Sequence, residues 1–457
     1  MARNVIKPIL TVEWHDPENS GAVGWLVIDR FVNGVAGGGV FMHTHVIKDE
    51  VQDLAYTMSL KNTLQTPMIG GGNAGIRYRP TDKSAREVLG RFLQAMRPFI
   101  KDNLFLHGDL NTNNATLLEL VQKDLGIASP MYSLARVIHE QLGIETQIQE
   151  MHQRILTPYN EYFKLDEGIT GFSVAECVKL MAEYTPKVLI QGFGHVGSSL
   201  GYFLESHHSS SVVGISDYDG YIYNKDGIEV EELLKIRQKL KARHGGHLIA
   251  GLSHLLSEKL RKKYHWTPRT EYQSDEGYLS SFIQSVDSDV FCPCATRYQI
   301  TSTVSQALIA AHQKQSQQRP YFVISGANNV FAYPHAPEEL FKAGVISLPE
   351  WVSNCGNSLL FVEAAKSKNA GEAWMRELFF SVRERLHQAI LETQLSSRKK
   401  EENVFNTFYE LAEKKLIIPQ AKEIFRADEF LKQWKSEKAN VAVIKHSQDQ
   451  TGKIPLI

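Results

Sequence analysis

The segment KVLIQGFGHVGSSLGYFLES, which begins at Lys187, restricts most strongly what this chain can fold into. An apolar run predicts a buried strand, and the G-x-G-x-x-G that follows it opens a helix. Gly192 permits a tight turn, Gly194 lets a phosphate approach the backbone, and Gly197 lets the helix pack closely on the strand. Because free amides and the helix dipole attract anions, the segment predicts a dinucleotide site.

An acidic residue completes this motif. The next strand-like run, SVVGISD, ends at Asp217, whose carboxylate is expected to accept hydrogen bonds from the adenosine ribose. That carboxylate would repel a 2′-phosphate, so we predict NAD rather than NADP as the cofactor. His195 and Val196, at the start of the helix, are expected to contact it. The alternative is a glycine turn in a doubly wound domain that binds no cofactor.

The length and charge of the chain narrow its class. At 457 residues we expect two domains, and alternating strands and helices from about residue 185 predict an α/β fold with a parallel sheet. A net charge of −1 provides no basic field, so we predict no nucleic-acid partner. No apolar run approaches the ~20 residues that span a bilayer, and we predict no membrane partner. The charged residues 228–285 are interpreted as a solvated periphery.

Cysteine and histidine usage points to no further chemistry. Four cysteines are too few for a disulfide framework, so we expect a reducing, cytoplasmic location. His43 and His45 would share one face of a strand, but no further ligand residues lie nearby in the sequence. We therefore predict no metal site.

The stretch PMIGGGNAGIRYRP, from Pro67 to Pro80, has three consecutive glycines before Asn73. Three glycines in a row indicate a tight turn or a close approach to the backbone. We predict that they present Asn73 to a small-molecule substrate.

Seven ordered segments together resemble the glutamate/leucine/phenylalanine/valine dehydrogenases. They are SLKNTLQTPMIGGGNAGIRYRP, HGDLNT, GITGFSVAECVKLM, SDYDGYIYNKDGI, CPCATRYQIT, SGANN and LPEWVSNCGN. The resemblance implies an N-terminal α/β dimerisation and substrate domain (1–165), a Rossmann NAD-binding domain (166–357), and C-terminal helices and tail (358–457) that pack back on the first domain. It also implies a homo-oligomer.

The resemblance further implies a reaction, the reversible oxidative deamination of an L-amino acid to a 2-oxo acid. It places Lys61 on the substrate carboxylate and makes Asp109 the proton-transferring carboxylate. Thr170 and Asn328 would contact the nicotinamide and its ribose. Taken alone, Lys61 could be a solvated helix lysine and Asp109 a loop cap.

Asn73 occupies the position of the family's catalytic lysine. An asparagine donates hydrogen bonds but exchanges no proton near neutral pH, so we expect slow deamination. Losing an acid/base group typically costs about 10²–10⁴ in rate. The nearest other cations in sequence are Arg77, Arg79 and Lys83. The alternative hypothesis is a non-catalytic NAD-binding homologue that acts as a regulatory or partner subunit.

The resemblance also bears on substrate choice. Glutamate-specific members carry a lysine where this chain has Gly37, so a distal carboxylate would have no partner here. We expect an apolar substrate side chain and expect Gly38, Met42 and Phe361 to bind the substrate.

Overall fold

The structure is a computed structural model, and it describes residues 7–208, 210–243, 251–315, 319–400, 402–417 and 441–445. Its strands are β1 (Leu10–His15), β2 (Val23–Ile28), β3 (Ala36–His43), β4 (Gly70–Arg77), β5 (Leu104–Gly108), β6 (Lys187–Gln191), β7 (Ser211–Asp217), β8 (Gly220–Tyr223), β9 (Thr267–Pro268), β10 (Val290–Pro293), β11 (Tyr321–Val323), β12 (Val345–Ser347) and β13 (Val441–Lys445).

Helices separate most of these strands. They are α1 (Lys48–Lys61), α2 (Ala85–Ala95), α3 (Arg97–Asp102), α4 (Asn114–Leu125), α5 (Tyr132–Leu142), α6 (Ile148–Ile155), α7 (Leu165–Met181), α8 (His195–His207), α9 (Val230–Arg243), α10 (Glu258–Lys263), α11 (Asp275–Gln284), α12 (Ser302–Lys314), α13 (Ala336–Lys342), α14 (Glu350–Ser353), α15 (Gly356–Lys366), α16 (Gly371–Lys400) and α17 (Val404–Ile417).

One compact unit contains residues 7–152 with the short segments 365–367, 412–417 and 441–445. Its sheet has the strand order β13–β1–β2–β4–β3–β5. Strand β3 runs parallel to both β4 and β5, whereas β1 pairs antiparallel with β2 and with β13. Residues 441–445, within the predicted C-terminal helices and tail, thus form an edge strand of the N-terminal sheet.

Two layers of helices cover the faces of this sheet. Alternate residues of β3 and β4, such as Met42 and Ala74, pack in a core with residues of α2, α3 and α4. The opposite face carries Phe41, which packs with residues of α1. Because side chains alternate along a strand, this alternation assigns each residue of β3 and β4 to one of the two layers.

Glycines in β4 allow α1 to lie directly on the sheet. A side chain at Gly71 would overlap the α1 residue Ser59, and a Cβ atom at Gly75 would lie 2.8 Å from Val51. The glycine run therefore serves a close approach of helix to strand, one of the two uses expected of such a run.

The second unit comprises the described residues within 153–364 and 368–411. Its sheet has the order β12–β11–β10–β6–β7–β8–β9, with parallel pairing from β12 to β7 and antiparallel pairing at β8 and β9. The strand order reverses at β6, which has β7 on one side and β10 on the other. Ligands of doubly wound sheets bind at the carboxyl end of the strands at such a point, and here Gly192 follows β6 directly.

An ion pair with a buried carboxylate joins α7 to α16 in this unit. Nε and Nη2 of Arg383 donate to the carboxylate of Glu176 at 3.0 and 2.9 Å, and Nε2 of His208 lies 3.2 Å from it. Burial by itself would raise the pKa of Glu176, but these partners outweigh burial and lower the pKa to about 2. The carboxylate therefore remains charged in the folded protein at neutral pH.

Candidate active site and dinucleotide site

The end of α1 positions Lys61 in the first unit. Lys61 is 5% exposed and lies in the last turn of the helix, where a cation complements the helix dipole. Its neighbour Asn62 donates through Nδ2 to the carbonyl oxygen of Gly70 at 2.8 Å and to that of Gly37 at 3.4 Å. The end of α1 is thus anchored to the first residues of β4 and β3, and Lys61 is a buried cation rather than a solvated one.

Asn73 lies on the α1 face of the sheet. It pairs in register with Val27 of β2, which belongs to the core packed against α1. Its side chain is 2% exposed, and its Nδ2 has no hydrogen-bond partner in the part of the chain that the structure describes. A buried amide without an acceptor is costly and rare in native proteins. The Asn73 amide is therefore suited to donating to a bound ligand.

A tight turn after β5 holds Asp109. The Asp109 amide donates to Oγ1 of Thr112 at 2.9 Å, and that hydroxyl donates to the carbonyl of Val40 in β3 at 2.5 Å. One carboxylate oxygen of Asp109 accepts from the Leu110 amide at 2.8 Å. A Cβ atom at Gly39 would lie 2.9 Å from the other oxygen, Oδ2. The missing side chain at Gly39 is what lets Asp109 lie against β3.

His107 shares this site, although the sequence analysis did not single it out. It pairs in register with Gly39 and is half-buried. Burial lowers the pKa of His107, and the Lys61 ammonium lowers it too; the hydrogen bond to Gly108 and the Asp109 carboxylate only partly oppose them. Both predicted catalytic residues are therefore within electrostatic range of one neutral imidazole. The sequence signal was the histidine immediately before Gly-Asp in HGDLNT.

The structure brings only some of the predicted residues together in this unit. Gly38 lies close to Asn73, since a Cβ atom there would be 3.1 Å from Oδ1 of Asn73. Met42 packs in the core beneath α2 to α4, on the opposite face from Asn73. Arg77 is exposed and stacks on Trp25 at 5.5 Å.

The second unit contains the glycine turn. Gly192 has φ +87°, a conformation that side chains disfavour, and a side chain at Gly197 would overlap the carbonyl oxygen of Gly192. At Gly194, the N-cap of α8, a Cβ atom would meet nothing within 4 Å. The open space therefore lies directly before the helix N-terminus, which fits a bound pyrophosphate.

The first residues of α8 border this turn. His195 is half exposed and its Nε2 lies 3.9 Å from Glu167 of α7. The side chain of Val196 lies next to Gly326, where a Cβ atom would be 2.7 Å from it. The glycine turn and the SGANN segment are therefore adjacent.

A buried arginine packs against the turn, and its position in the charged stretch 228–285 gave no sign of this in the sequence. Arg237 donates through Nη1 to the carbonyl of Phe193 at 2.8 Å, and its guanidinium lies 4.5 Å from the centre of the Phe193 ring. Burial lowers the pKa of Arg237 to about 10, while Asp217 opposes that shift. Burial raises the pKa of Asp217, and Arg237 is among the groups that lower it. The two residues thus form one electrostatic cluster with the turn.

Thr170 and Asn328 are linked through the segment before α15. The Ser173 hydroxyl contacts the carbonyl oxygens of Thr170 and Ser353, both at 2.8 Å. Asn354 donates through Nδ2 to Oδ1 of Asn328 at 2.8 Å. The two predicted nicotinamide contacts are thus held by neighbouring residues of one segment. Phe361 is fully buried in α15.

Neither a metal centre nor a membrane span is found in the described ranges. No three His, Cys, Asp or Glu side chains come together there as ligands, and the rings of His43 and His45 are 5.5 Å apart. No helix there combines the length and the apolar character needed to cross a bilayer.

Sequence comparison identifies two family matches that cover most of the chain. The model of "Glutamate/Leucine/Phenylalanine/Valine dehydrogenase" matches residues 164–421, and that of "Glu/Leu/Phe/Val dehydrogenase, dimerisation domain" matches residues 6–123.

A glutamate dehydrogenase of Thermotoga maritima is 28% identical over 365 residues, which cover 77% of this chain and 74% of the relative. An NAD-specific glutamate dehydrogenase of Staphylococcus aureus is 24% identical over 393 residues, 84% of this chain and 78% of the relative. An NADP-specific glutamate dehydrogenase of Saccharolobus shibatae is 24% identical over 375 residues, which cover 80% of this chain and 76% of the relative.

Solved structures share the fold. Glutamate dehydrogenase 2 of Plasmodium falciparum superposes with a TM-score of 0.61 at 18% identity, over 94% of this chain and 86% of that one. The hetero-hexameric glutamate dehydrogenase of Thermus thermophilus, in its Leu-bound form, superposes with a TM-score of 0.64 at 17% identity, over 91% of this chain and 89% of that one. The predicted α/β fold class with two domains is confirmed.

Proposed function

Because the chain belongs to the Glu/Leu/Phe/Val dehydrogenase family, as its seven motifs predicted, we propose that it catalyses the NAD-dependent oxidative deamination of an apolar L-amino acid or a related compound. Its family and fold are those of amino-acid dehydrogenases, which are oxidoreductases. The observation that carries the proposal is the glycine turn of the second unit. Gly192, Gly194 and Gly197 each have the geometry that a dinucleotide site requires.

The predicted residues of the first unit would supply part of the chemistry that deamination needs. The Lys61 ammonium would bind the substrate carboxylate, and Asp109 would transfer protons. The unsatisfied Nδ2 of Asn73 would donate a hydrogen bond to the oxygen that forms at the substrate carbon. A bound nicotinamide dinucleotide would supply the acceptor for the hydride.

A nicotinamide dinucleotide is supported by relatives of both NAD and NADP specificity. We favour NAD because Asp217 ends β7 beside the glycine turn, where its carboxylate would bond the ribose and repel a 2′-phosphate. His195 and Val196 would border the cofactor, and Thr170 and Asn328 would contact the nicotinamide half.

The substrate proposal depends on what is absent around the substrate side chain. Gly37 supplies no cation, and a carboxylate buried without a partner is strongly disfavoured. We therefore favour leucine or phenylalanine over glutamate, with Gly38 and Phe361 as the proposed contacts. This differs from the glutamate named for the relatives. The expected contact from Met42 is wrong, because Met42 packs in the core on the face of the sheet opposite Asn73.

We also propose a homo-oligomer in the cytoplasm. The match to a dimerisation domain and the hexameric relative support assembly. Four buried, unbridged cysteines are compatible with a reducing compartment. Light scattering of the purified protein would measure the assembly state.

One observation supports a second candidate function, a non-catalytic NAD-binding subunit. Asn73 has no group that gains or loses a proton near neutral pH, so the amine that activates water in the family is missing. This alternative predicts NADH binding without amino-acid oxidation.

The two functions are separated by a screen of the twenty amino acids for NADH formation at alkaline pH, on the wild type and on Asn73→Lys. We expect oxidation of an apolar amino acid, and a rate about 10² higher in the variant, since one acid/base group contributes at least that much. Gln141→Lys, which adds the same charge at an exposed position of α5, is the matched control and should change nothing. NADH binding with no oxidation by either Asn73 form would establish the non-catalytic alternative.

A further inference from the structure

We propose that His107 is the general base of this site, and that it takes over the proton transfer for which Asn73 has no group. The inference depends on the proposed deamination. In the family, a single lysine amine would both activate water and stabilise the developing oxyanion. Here Asn73 would keep the hydrogen bond to the oxyanion, and His107 would accept the proton.

The hydrogen bonding of His107 determines its tautomer. Nδ1 of His107 lies 2.8 Å from the carbonyl oxygen of Gly108, and a carbonyl oxygen can only accept. Nδ1 therefore carries the proton in the neutral ring, and Nε2 has the lone pair that a general base needs. The neutral form is favoured because burial and the Lys61 ammonium both disfavour a second positive charge.

The sheet places His107 on the same face as Asn73. In β5, Phe105 and His107 pair with Gly37 and Gly39, and Phe105 lies directly against Gly37. Gly37 pairs with Gly71 of β4, two residues before Asn73. Since residues two apart share a face, His107 and Asn73 both project on the α1 side.

The charged groups that act on His107 come from two elements. Lys61 belongs to α1, and Asp109 belongs to the turn after β5. Asp109 lies beside Gly39, which is the register partner of His107. The imidazole is therefore within electrostatic range of both the proposed carboxylate anchor, Lys61, and the proposed proton-transferring carboxylate, Asp109.

The proposed step is the hydrolysis of the iminium ion that hydride transfer leaves on the substrate. Water attacks the carbon, a C–O bond forms, the C=N π electrons move to nitrogen, and Nε2 of His107 takes the proton. His107 then returns that proton to the amine nitrogen. Asp109 takes the hydroxyl proton as the C=O bond forms and the C–N bond breaks, which releases ammonia and the 2-oxo acid.

The first test removes the base and restores it from solution. His107→Ala should lower kcat for amino-acid oxidation at least 10²-fold, the lower range for one general base, and free imidazole should restore part of it. NADH affinity, measured by calorimetry, should not change. His45→Ala, at an exposed position, is the control and should show neither loss nor rescue. Activity of His107→Ala within threefold of wild type would overturn the inference.

A double-mutant cycle distinguishes a base from a structural residue. His107→Gln should cost at least 10² in the wild type but less than tenfold in the Asn73→Lys background, where an amine is again present. An equal loss in both backgrounds would show that His107 supports the site without transferring the proton.

A final measurement does not require turnover. In protein labelled with ¹⁵N-histidine, the His107 resonances should report the Nδ1–H tautomer and should shift when 4-methyl-2-oxopentanoate, the oxo acid of leucine, is added. An Nε2–H tautomer, or resonances unchanged at saturating oxo acid, would overturn the role of His107. Absence of any amino-acid oxidation by the wild type and Asn73→Lys would instead overturn the proposed function.

Discussion

Gly194→Ala should abolish tight NADH binding while leaving the fold intact. Gly194 has φ −73°, which any residue adopts, and a Cβ atom there would meet no atom within 4 Å. Replacing glycine by alanine at an N-cap costs up to about 1 kcal/mol, and the lower entropy of the unfolded chain offsets about 0.4–1 kcal/mol. The net change in unfolding free energy should therefore stay within ~1 kcal/mol, a shift in Tm of at most about 4 °C.

The effect on binding should be larger, because the methyl group would occupy the space before the N-terminus of α8. Phosphate oxygens accept hydrogen bonds from backbone amides at about 2.9 Å, which leaves no room for a methyl group between them. We expect the Kd for NADH to rise at least tenfold, or about 1.4 kcal/mol. Gly197→Ala should behave differently. Its methyl group would overlap the carbonyl oxygen of Gly192, and overpacking of this kind costs about 1–3 kcal/mol of stability.

Calorimetric titration with NADH and a thermal melt of each variant would measure both effects. Gly90→Ala in α2 is the matched control, since its methyl group would make only ordinary contacts at 3.6 Å, far along the chain from the glycine turn. NADH binding by Gly194→Ala with unchanged affinity would refute the assignment of this turn to the pyrophosphate. Loss of binding together with a Tm lowered by 10 °C or more would refute the claim that the position is sterically open.

Four further predictions concern the charges of the two units. NADH should bind at least tenfold more tightly than NADPH, and Asp217→Ala should reduce this ratio of affinities. A calorimetric measurement in which the wild type binds NADPH as tightly as NADH, or more tightly, would contradict this prediction. Arg383→Ala should lower the free energy of unfolding by about 2 kcal/mol, because it removes the guanidinium that pairs with the buried carboxylate of Glu176, although Arg383 itself is half-exposed. Denaturant titration would measure this change. Since the pKa of Glu176 falls from its ordinary 4.5 to about 2 on folding, its contribution should be complete above about pH 4.5 and be lost as the pH falls towards 2, a pH dependence that Glu176→Gln should remove. Glutamate should be a poorer substrate than leucine because Gly37 offers no cation, and a higher kcat/KM for glutamate would show that another cation had been overlooked.

The motifs whose structure is local could be predicted from the sequence. A strand, a glycine turn and a helix are built by adjacent residues, so the order of residues alone was enough to predict β6, the turn at Gly192 and α8. The family resemblance was confirmed by matches over most of the chain. For the glycine run before Asn73 the sequence left a tight turn and a close approach open, and the structure shows a close approach of α1 to a regular strand.

Other features of the site could be seen only in the tertiary structure, because they depend on pairing between distant segments. His107 follows Gly39 by 68 positions, and only the parallel register of β5 with β3 brings these two residues side by side. In the sequence Arg237 does not differ from the other charged residues of its helix, and only the fold shows that it is buried against Phe193. Strand register and helix packing are set by the sum of many contacts across the chain, whereas a turn is set by the allowed dihedral angles of a few consecutive residues.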